Sequence, residues 1–546
     1  MQPEKNKNAI EKSFLNGALI LSVASILIKV IGAIYRIPLV HLIGGDGMGY
    51  YNDAYQIYSL LFVISTAGIP VAIAKLVSES NAIGRINEPK KILRLAIITF
   101  SIIGFIGMCV MYFGVDMFIS LTKTPQSRLS IMAIAPAVFF VSLTSSFKGF
   151  FQGYKNMVPT AIYQIIEASA KLLGLVIVVI LIHNGYKDNY AVLASGAVLG
   201  VTFGAFCSML FMLFRFIFGK KEKIVIPQSR IQPNRKTSTI FKSMLAISIP
   251  VTFSSAVMSL TSFIDMVLVK NSLIAAGYTA DTANFMYGSY TGCTSSLFNL
   301  PPTITLTVGV SILPFLSSYF SVNDKKSAFK NMHSSMKVVS LIAMPCTIGM
   351  SVMARPILTL LFSSKPEEVN IAAPTLRILA LAIVFVSFVS LTNVFLQSAG
   401  KAYIPIITMI IGAVIKIIVN YNLVRIPAIN INGAPIGSLL CYSSIVIINI
   451  IFIYKITKFK MPIISVFIKP LICSIVCSAG AYLVYSLLFS QLKISNTIST
   501  LCGLFIAVII YFITIFAIKA IDRDDIMLLP KGDKIAAFFT RLKLIK

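Results

Sequence analysis

Apolar runs of about twenty residues or more follow one another from about Phe14 to residue 520, separated by short polar breaks. A run of that length matches the hydrocarbon thickness of a bilayer. Within hydrocarbon, every backbone N–H and C=O must be paired inside the protein, and consecutive runs of this kind satisfy that demand as helices. The expected fold class is therefore all-α integral membrane, with about 14 spans, the first centred near Leu27 and the last near Ala507. With 57% of 546 residues hydrophobic and 12% charged, a water-soluble globule is excluded. The first run is too long for a signal-peptide core, carries internal charges and lacks a small-residue cleavage site, so it reads as a span.

The net charge of +28 invites a nucleic-acid partner, but its distribution points elsewhere. When alternate loops are assigned to opposite sides, the set holding both termini carries 34 of the 47 Lys and Arg, against 8 in the other set. Under the positive-inside rule both termini are cytoplasmic, which independently requires an even number of spans. The basic surface also favours anionic membrane lipids as neighbours. No nucleic acid is expected.

The chain reads as a duplication. INEPKKILRLAIITFSIIG after the second span resembles VNDKKSAFKNMHSSMKVVS after the eighth, and VSLTSSFKGFFQGYKNMVP at the end of the fourth resembles VSLTNVFLQSAGKAYIP at the end of the tenth. Each half holds six spans in one orientation, a parallel repeat with the substrate site expected between the lobes. The expected organisation is an N-lobe over 1–218, a basic cytoplasmic linker over 219–242, a C-lobe over 243–456, two further helices over 457–520 and a basic cytoplasmic tail over 521–546.

Charges inside spans carry the functional signal, because a charge at mid-bilayer costs roughly 2.5–3.5 kcal/mol and persists only where it faces a cavity or a partner. Lys29 and Arg36 lie seven residues apart on one face of the first span; Lys171, Arg355 and Lys416 lie in the fifth, ninth and eleventh. The acids at comparable depth are Glu167, Asp265 and Asp53, so a positive excess remains even if all three pair. A site built this way prefers an anion. Simpler readings stand beside it: Glu167 and Lys171 are spaced i, i+4 and can neutralise each other, Arg36 and Arg355 can snorkel to an interface, and Asp265 can pair with Lys270. The substrate-binding candidates are Lys29, Arg36, Asp53, Glu167, Lys171 and Lys416. The eight cysteines fall in or beside apolar runs and read as small buried residues, and three scattered histidines form no metal-site pattern. No cofactor is expected, and no nucleotide-binding loop is present.

Three stretches, GAIYRIPLVHLIGGDGMGYYNDAYQIYSLLFVISTAGIPVAIAKLVSE, FKGFFQGYKNMVPTAIYQIIEASAK and NLPPTITLTVGVSILPFLS, resemble the multidrug/oligosaccharidyl-lipid/polysaccharide exporter superfamily, in its branch of stage V sporulation protein B-like and lipid II flippase-like proteins. The resemblance implies a bacterial cell-membrane protein with two six-helix lobes around an alternating cavity for the pyrophosphate and sugar head of a polyprenyl-linked precursor, and a lipid-tail groove on the last two helices. It places Arg36 and Asp53 where lipid II flippases carry an essential arginine and aspartate. Those flippases also carry cations in the second and eighth spans, whereas no Lys or Arg occurs here between His41 and Ala74 or between Asn271 and Asp324. A related undecaprenyl-linked glycan therefore stays open beside lipid II.

The expected function is a flippase for a polyprenyl-pyrophosphate-linked cell-wall precursor, not an enzyme. A cation-coupled multidrug exporter and a non-transporting assembly factor that binds cell-wall synthesis proteins through the 219–242 linker remain as alternatives. The charge bias makes a direct test available. In a cysteine-free background, external labelling should miss a cysteine at Ser229 and reach one at Asn184, and the reverse pattern overturns the orientation.

Overall fold

The computed structural model describes residues 2–85, 87–219 and 233–522, apart from the side chains of 2–23, 25, 26, 29, 33, 254, 257, 258, 310 and 314. Most of the expected linker and tail thus lies outside the described residues. Among the described residues every regular element is helical, in agreement with the all-α membrane class. Eleven helices are long and apolar enough to cross a membrane, or twelve if the pair Pro366–Ala380 and Ala382–Ser398, bent by 44°, forms one span. With the bent pair taken as one span, the expected fourteen exceeds the twelve at two places. Val30–Ile83 counts once although its 54 residues would stretch about 80 Å at 1.5 Å per residue, far beyond one bilayer. It is interrupted at Gly44, whose φ of 61° and ψ of −168° are open to a residue without a Cβ. The 39-residue helix Thr237–Ala275, with Pro250 inside it, enters only through its shorter apolar part Thr237–Phe253.

The chain packs as two compact units. The first comprises Met1–Asn271 and Thr279–Gly288, and the second comprises Ser272–Tyr278 and Ser289–Lys546. In the first, Ile69, Ala72, Ile73, Leu76 and Val77 recur at helical spacing along Gly68–Ile83 and make one buried stripe. They meet Ile92, Leu93, Ala96 and Phe100 of Glu88–Phe113, and Phe147, Phe150 and Phe151 of Arg128–Gly153. Ile240 and Met244 of Thr237–Ala275 join the same cluster, and this helix is fastened to the unit by polar contacts as well. Just before it, Arg235 sends its guanidinium to Glu88 (2.7 and 2.8 Å) and Glu79 (3.0 Å), and further along, Thr252 accepts the Gly68 amide at 3.1 Å. The unit therefore includes residues that the repeat assigns to the second lobe.

The second unit has an inside-out helix pattern suited to lipid. Along Asn496–Ala517, Leu501, Phe505, Val508 and Phe512 are exposed, whereas Ser499, Thr500 and Gly503 are buried. Small and polar residues face the packing because lipid tails, unlike water, do not drive large apolar side chains inward. One buried polar network is fully connected. Buried Asn449 donates to Thr392 and Asn393 at 2.9 Å each and accepts from Thr408 at 2.9 Å.

One close approach in the first unit positions the residues discussed next. Gly200, on Tyr190–Phe218, faces the backbone at Lys171 so closely that a Cβ there would lie 2.5 Å from the Lys171 carbonyl oxygen. Gly204, one turn on, stands likewise 2.6 Å from that of Glu167. Gly200→Ala should push these helices apart and lower stability by about 1–3 kcal/mol, the usual cost of overpacking. Gly32→Ala, at a helix position with nothing within 4 Å, should leave the melting temperature unchanged or slightly raised. Equal melting curves for the two variants would show that the Gly200 contact does not constrain the helix pair.

Candidate functional site

Lys171 occupies a two-residue turn between Val158–Ala170 and Leu173–Leu181. Its ammonium stands 4.8 Å from the ring centroid of Tyr35, 5.1 Å from that of Tyr55 and 6.0 Å from that of Tyr51. The Tyr51 and Tyr55 rings are stacked with centroids 5.9 Å apart, and the Tyr35 hydroxyl donates to the Ala197 carbonyl at 3.0 Å. Aromatic faces attract a cation through their quadrupole, by about 0.5–2 kcal/mol per contact, without cancelling its charge. Lys171 is therefore held in place and still able to meet an anion.

The Lys171 side chain opens into a cavity of about 370 Å³, shared with Tyr35, Tyr55, Tyr58, Gln164 and Glu167. An adjoining cavity of about 330 Å³ shares Phe62, Val63 and Glu167 with the first and contains Lys148. Glu167 thus stands on the wall between two lysines. Among the described residues, the ion pairs within 4 Å do not include Glu167 with Lys171, because Lys171 leans instead towards the tyrosines. Arg36 is half-buried and donates to the Asn52 side chain at 3.2 Å. Lys416 lies in the second unit, half-buried on Tyr403–Leu423. The side chain of Lys29 lies outside the described residues. Arg355 is exposed and donates to Asn370 at 3.0 Å.

Asp53 lines neither cavity. It is fully buried, and Lys270, 1% exposed, places its ammonium 2.6 and 2.7 Å from the two carboxylate oxygens and 2.8 Å from Asn284 Oδ1. The hydroxyls of Thr124 and Ser127 each donate to Asp53 Oδ2 at 2.7 Å. All three ammonium hydrogens of Lys270 are used, and the carboxylate receives four contacts. Such a network is strong in a low-dielectric setting because every member is satisfied. It ties the start of the second span to the loop at Thr124–Ser127, to Thr237–Ala275 and to Ala280–Ser289.

The expected pairing of Asp265 with Lys270 is corrected here: Lys270 belongs to Asp53 and Asn284. Five residues along a helix correspond to about 500° of turn, so these two side chains leave on different faces. Sequence reading also missed Lys148, Thr124, Ser127 and Asn284. A signal for the lysines exists, since neither Lys148 nor Lys270 has an acid three or four residues away in its own helix. Each needs a partner from elsewhere. The glycine run from Gly44 to Gly49 is a second signal, because Gly49 abuts Asn284 with no room for a side chain.

Removing one member of a buried pair strands the other charge, at a typical cost of about 3–5 kcal/mol, whereas replacing both by uncharged groups of similar volume costs far less. Lys270→Met should therefore lower the melting temperature sharply, and the double variant Asp53→Asn with Lys270→Met should recover much of the loss. Additive losses in the double variant would show that the two residues are not coupled.

The family model described as "Polysaccharide biosynthesis protein" matches residues 14–320, and the MatE model matches residues 250–422. Stage V sporulation protein B of Bacillus subtilis (strain 168) is 25% identical over 529 residues, 95% of this chain and 98% of that protein. The lipid II flippase MurJ of the same organism is 23% identical over 459 residues, 82% of this chain and 83% of that protein. A solved structure, lipid II flippase MurJ in an inward closed conformation, superposes with a TM-score of 0.67 at 18% identity, covering 91% of this chain and 98% of that one, and shows that the fold is shared. The chain belongs to the polysaccharide biosynthesis protein family, within a superfamily of multi-pass membrane flippases and exporters, and is not an enzyme.

Proposed function

We propose that this protein is a flippase that carries a polyprenyl-pyrophosphate-linked cell-wall precursor, lipid II or a related undecaprenyl-linked glycan, across the bacterial cell membrane by alternating access. The observation that carries the reading is the charge of the paired cavities, in which Lys171 and Lys148 face a single carboxylate, Glu167. A pyrophosphate cannot enter about 30 Å of hydrocarbon uncovered, and fixed cations in a cavity cover it while the polyprenyl tail stays in the bilayer. Lys171 and Arg36 are the proposed contacts for the anion, and Lys29 and Lys416 complete the cation set. Asp53 is proposed to act through Lys270 as the lock of one conformation. The two six-helix lobes are the proposed moving parts, with both termini and the linker cytoplasmic.

The MatE match over residues 250–422 supports a second reading, a cation-coupled drug exporter. An exporter of lipophilic cations needs a negative cavity, and two lysines to one glutamate oppose that.

A ligand that binds only the folded protein stabilises it by RT ln(1 + [L]/Kd), about 2.7 kcal/mol at a hundredfold excess over Kd. Undecaprenyl pyrophosphate should raise the melting temperature of the purified protein, and ethidium should not. The lipid's effect should shrink in Lys171→Ala and in Arg36→Ala and persist in Arg355→Ala. Stabilisation by ethidium with none from the pyrophosphate lipid would replace the flippase with the drug exporter. In cells, depletion should leave the precursor accumulated on the inner leaflet.

A further inference from the structure

An open pocket of about 550 Å³ on the first unit lies apart from the Lys171 site. Its wall is made by Tyr50, Gln126, Tyr186, Asp188, Asn189 and Tyr190. Three tyrosines and three planar hydrogen-bonding groups surround it, with no lysine or arginine among the lining residues. The rings are graded in depth: Tyr50 is 6% exposed, Tyr190 is half-buried and Tyr186 is 47% exposed. This is the chemistry that a pyranose requires. The axial C–H groups of a sugar ring form an apolar face that packs on an aromatic ring, and its vicinal hydroxyls need groups that both donate and accept. A phosphate would instead demand cations, and none lines this pocket.

Two local backbone features shape the loop that lines the pocket. The helical run that contains Leu173–Leu181 breaks at Gly185, whose φ of 90° favours a residue without a Cβ and turns the chain into the Tyr186–Tyr190 loop. Asn189 caps the next helix by accepting the Val192 amide at 3.2 Å, which fixes the Tyr186–Tyr190 loop. Gln126 sits between Thr124 and Ser127, whose hydroxyls grip Asp53, and Tyr50 lies three residues before Asp53. The vestibule is thus built on the same backbone as the buried lock.

We propose that this vestibule is a carbohydrate-binding site that takes the glycan head of the cargo. On the proposed orientation it faces the outside of the cell, where a flipped head group emerges. Its place in the transport cycle rests on the flippase reading; its ligand class rests on the lining residues alone.

The chain contains no tryptophan, so Tyr186→Trp would install a single indole reporter at the rim. In nanodiscs free of glycoside detergents, a soluble N-acetylglucosamine–N-acetylmuramic acid disaccharide should shift that emission saturably. The affinity should fall at least about tenfold when Asp188→Ala or Tyr190→Ala is added. Saturation-transfer NMR on the unaltered protein with the same disaccharide should show sugar protons receiving magnetisation, and the same two substitutions should abolish it. No saturable response in either measurement, or responses indifferent to both substitutions, overturns the proposal. A negative result here with intact stabilisation by undecaprenyl pyrophosphate removes the vestibule and leaves the flippase reading standing, whereas sugar binding without lipid stabilisation does the opposite.

Discussion

A charge held inside hydrocarbon has to have its field taken up by another group, and the first unit meets that requirement in two different ways. At Asp53 the field is neutralised: one ammonium spans both carboxylate oxygens, two hydroxyls fill the remaining acceptor sites, and Asn284 takes the third ammonium hydrogen. At Lys171 the field is only softened, by three tyrosine rings that leave the charge intact. The first arrangement gives rigidity, and the second leaves an uncancelled cation beside a cavity.

Both arrangements depend on how closely the helices approach. The ring cluster exists because Gly200 and Gly204 bring Tyr190–Phe218 against the backbone at Lys171 and Glu167. The Asp53 network exists because Thr237–Ala275 runs with the amino-terminal spans, fastened by Arg235 at one end, Thr252 along its length and Lys270 near the other end. Glu88, buried and bound by Arg235 and Ser80, follows the same rule as Asp53, a carboxylate with every oxygen engaged. Fully satisfied pairs therefore mark where the unit is fixed.

Family membership places the chain among membrane flippases and exporters, and the proposed anionic cargo rests on the charge of the cavities at Lys171 and Lys148. The proposed cargo has two chemically distinct parts in its head, an anion and a glycan, and the first unit has two distinct kinds of cavity. One pair is basic, at Lys171 and Lys148, and one is aromatic and amide-lined, at Tyr50, Tyr186 and Tyr190. The loop at Thr124–Ser127 joins the second of these to the Asp53 network.

The all-helical membrane class, and Arg36, Asp53, Glu167 and Lys171 as residues that need an explanation, were legible in the sequence, because hydrophobic run length and the cost of a buried charge are local quantities. Glu167 and Lys171 do share a cavity. The number of spans was less legible: whether Val30–Ile83 counts once or twice turns on a single backbone conformation at Gly44, which composition does not reveal. The partner of each charge was not legible at all. Lys270 lies 217 residues from Asp53 and only five from Asp265, and sequence proximity favoured the wrong acid. Tertiary structure decided between them because a salt bridge is set by distance and by the face from which a side chain leaves its helix, and both are fixed only when Thr237–Ala275 packs beside the second span. The sequence by itself determined which charges have to be answered, and only the folded chain decided which group answers each.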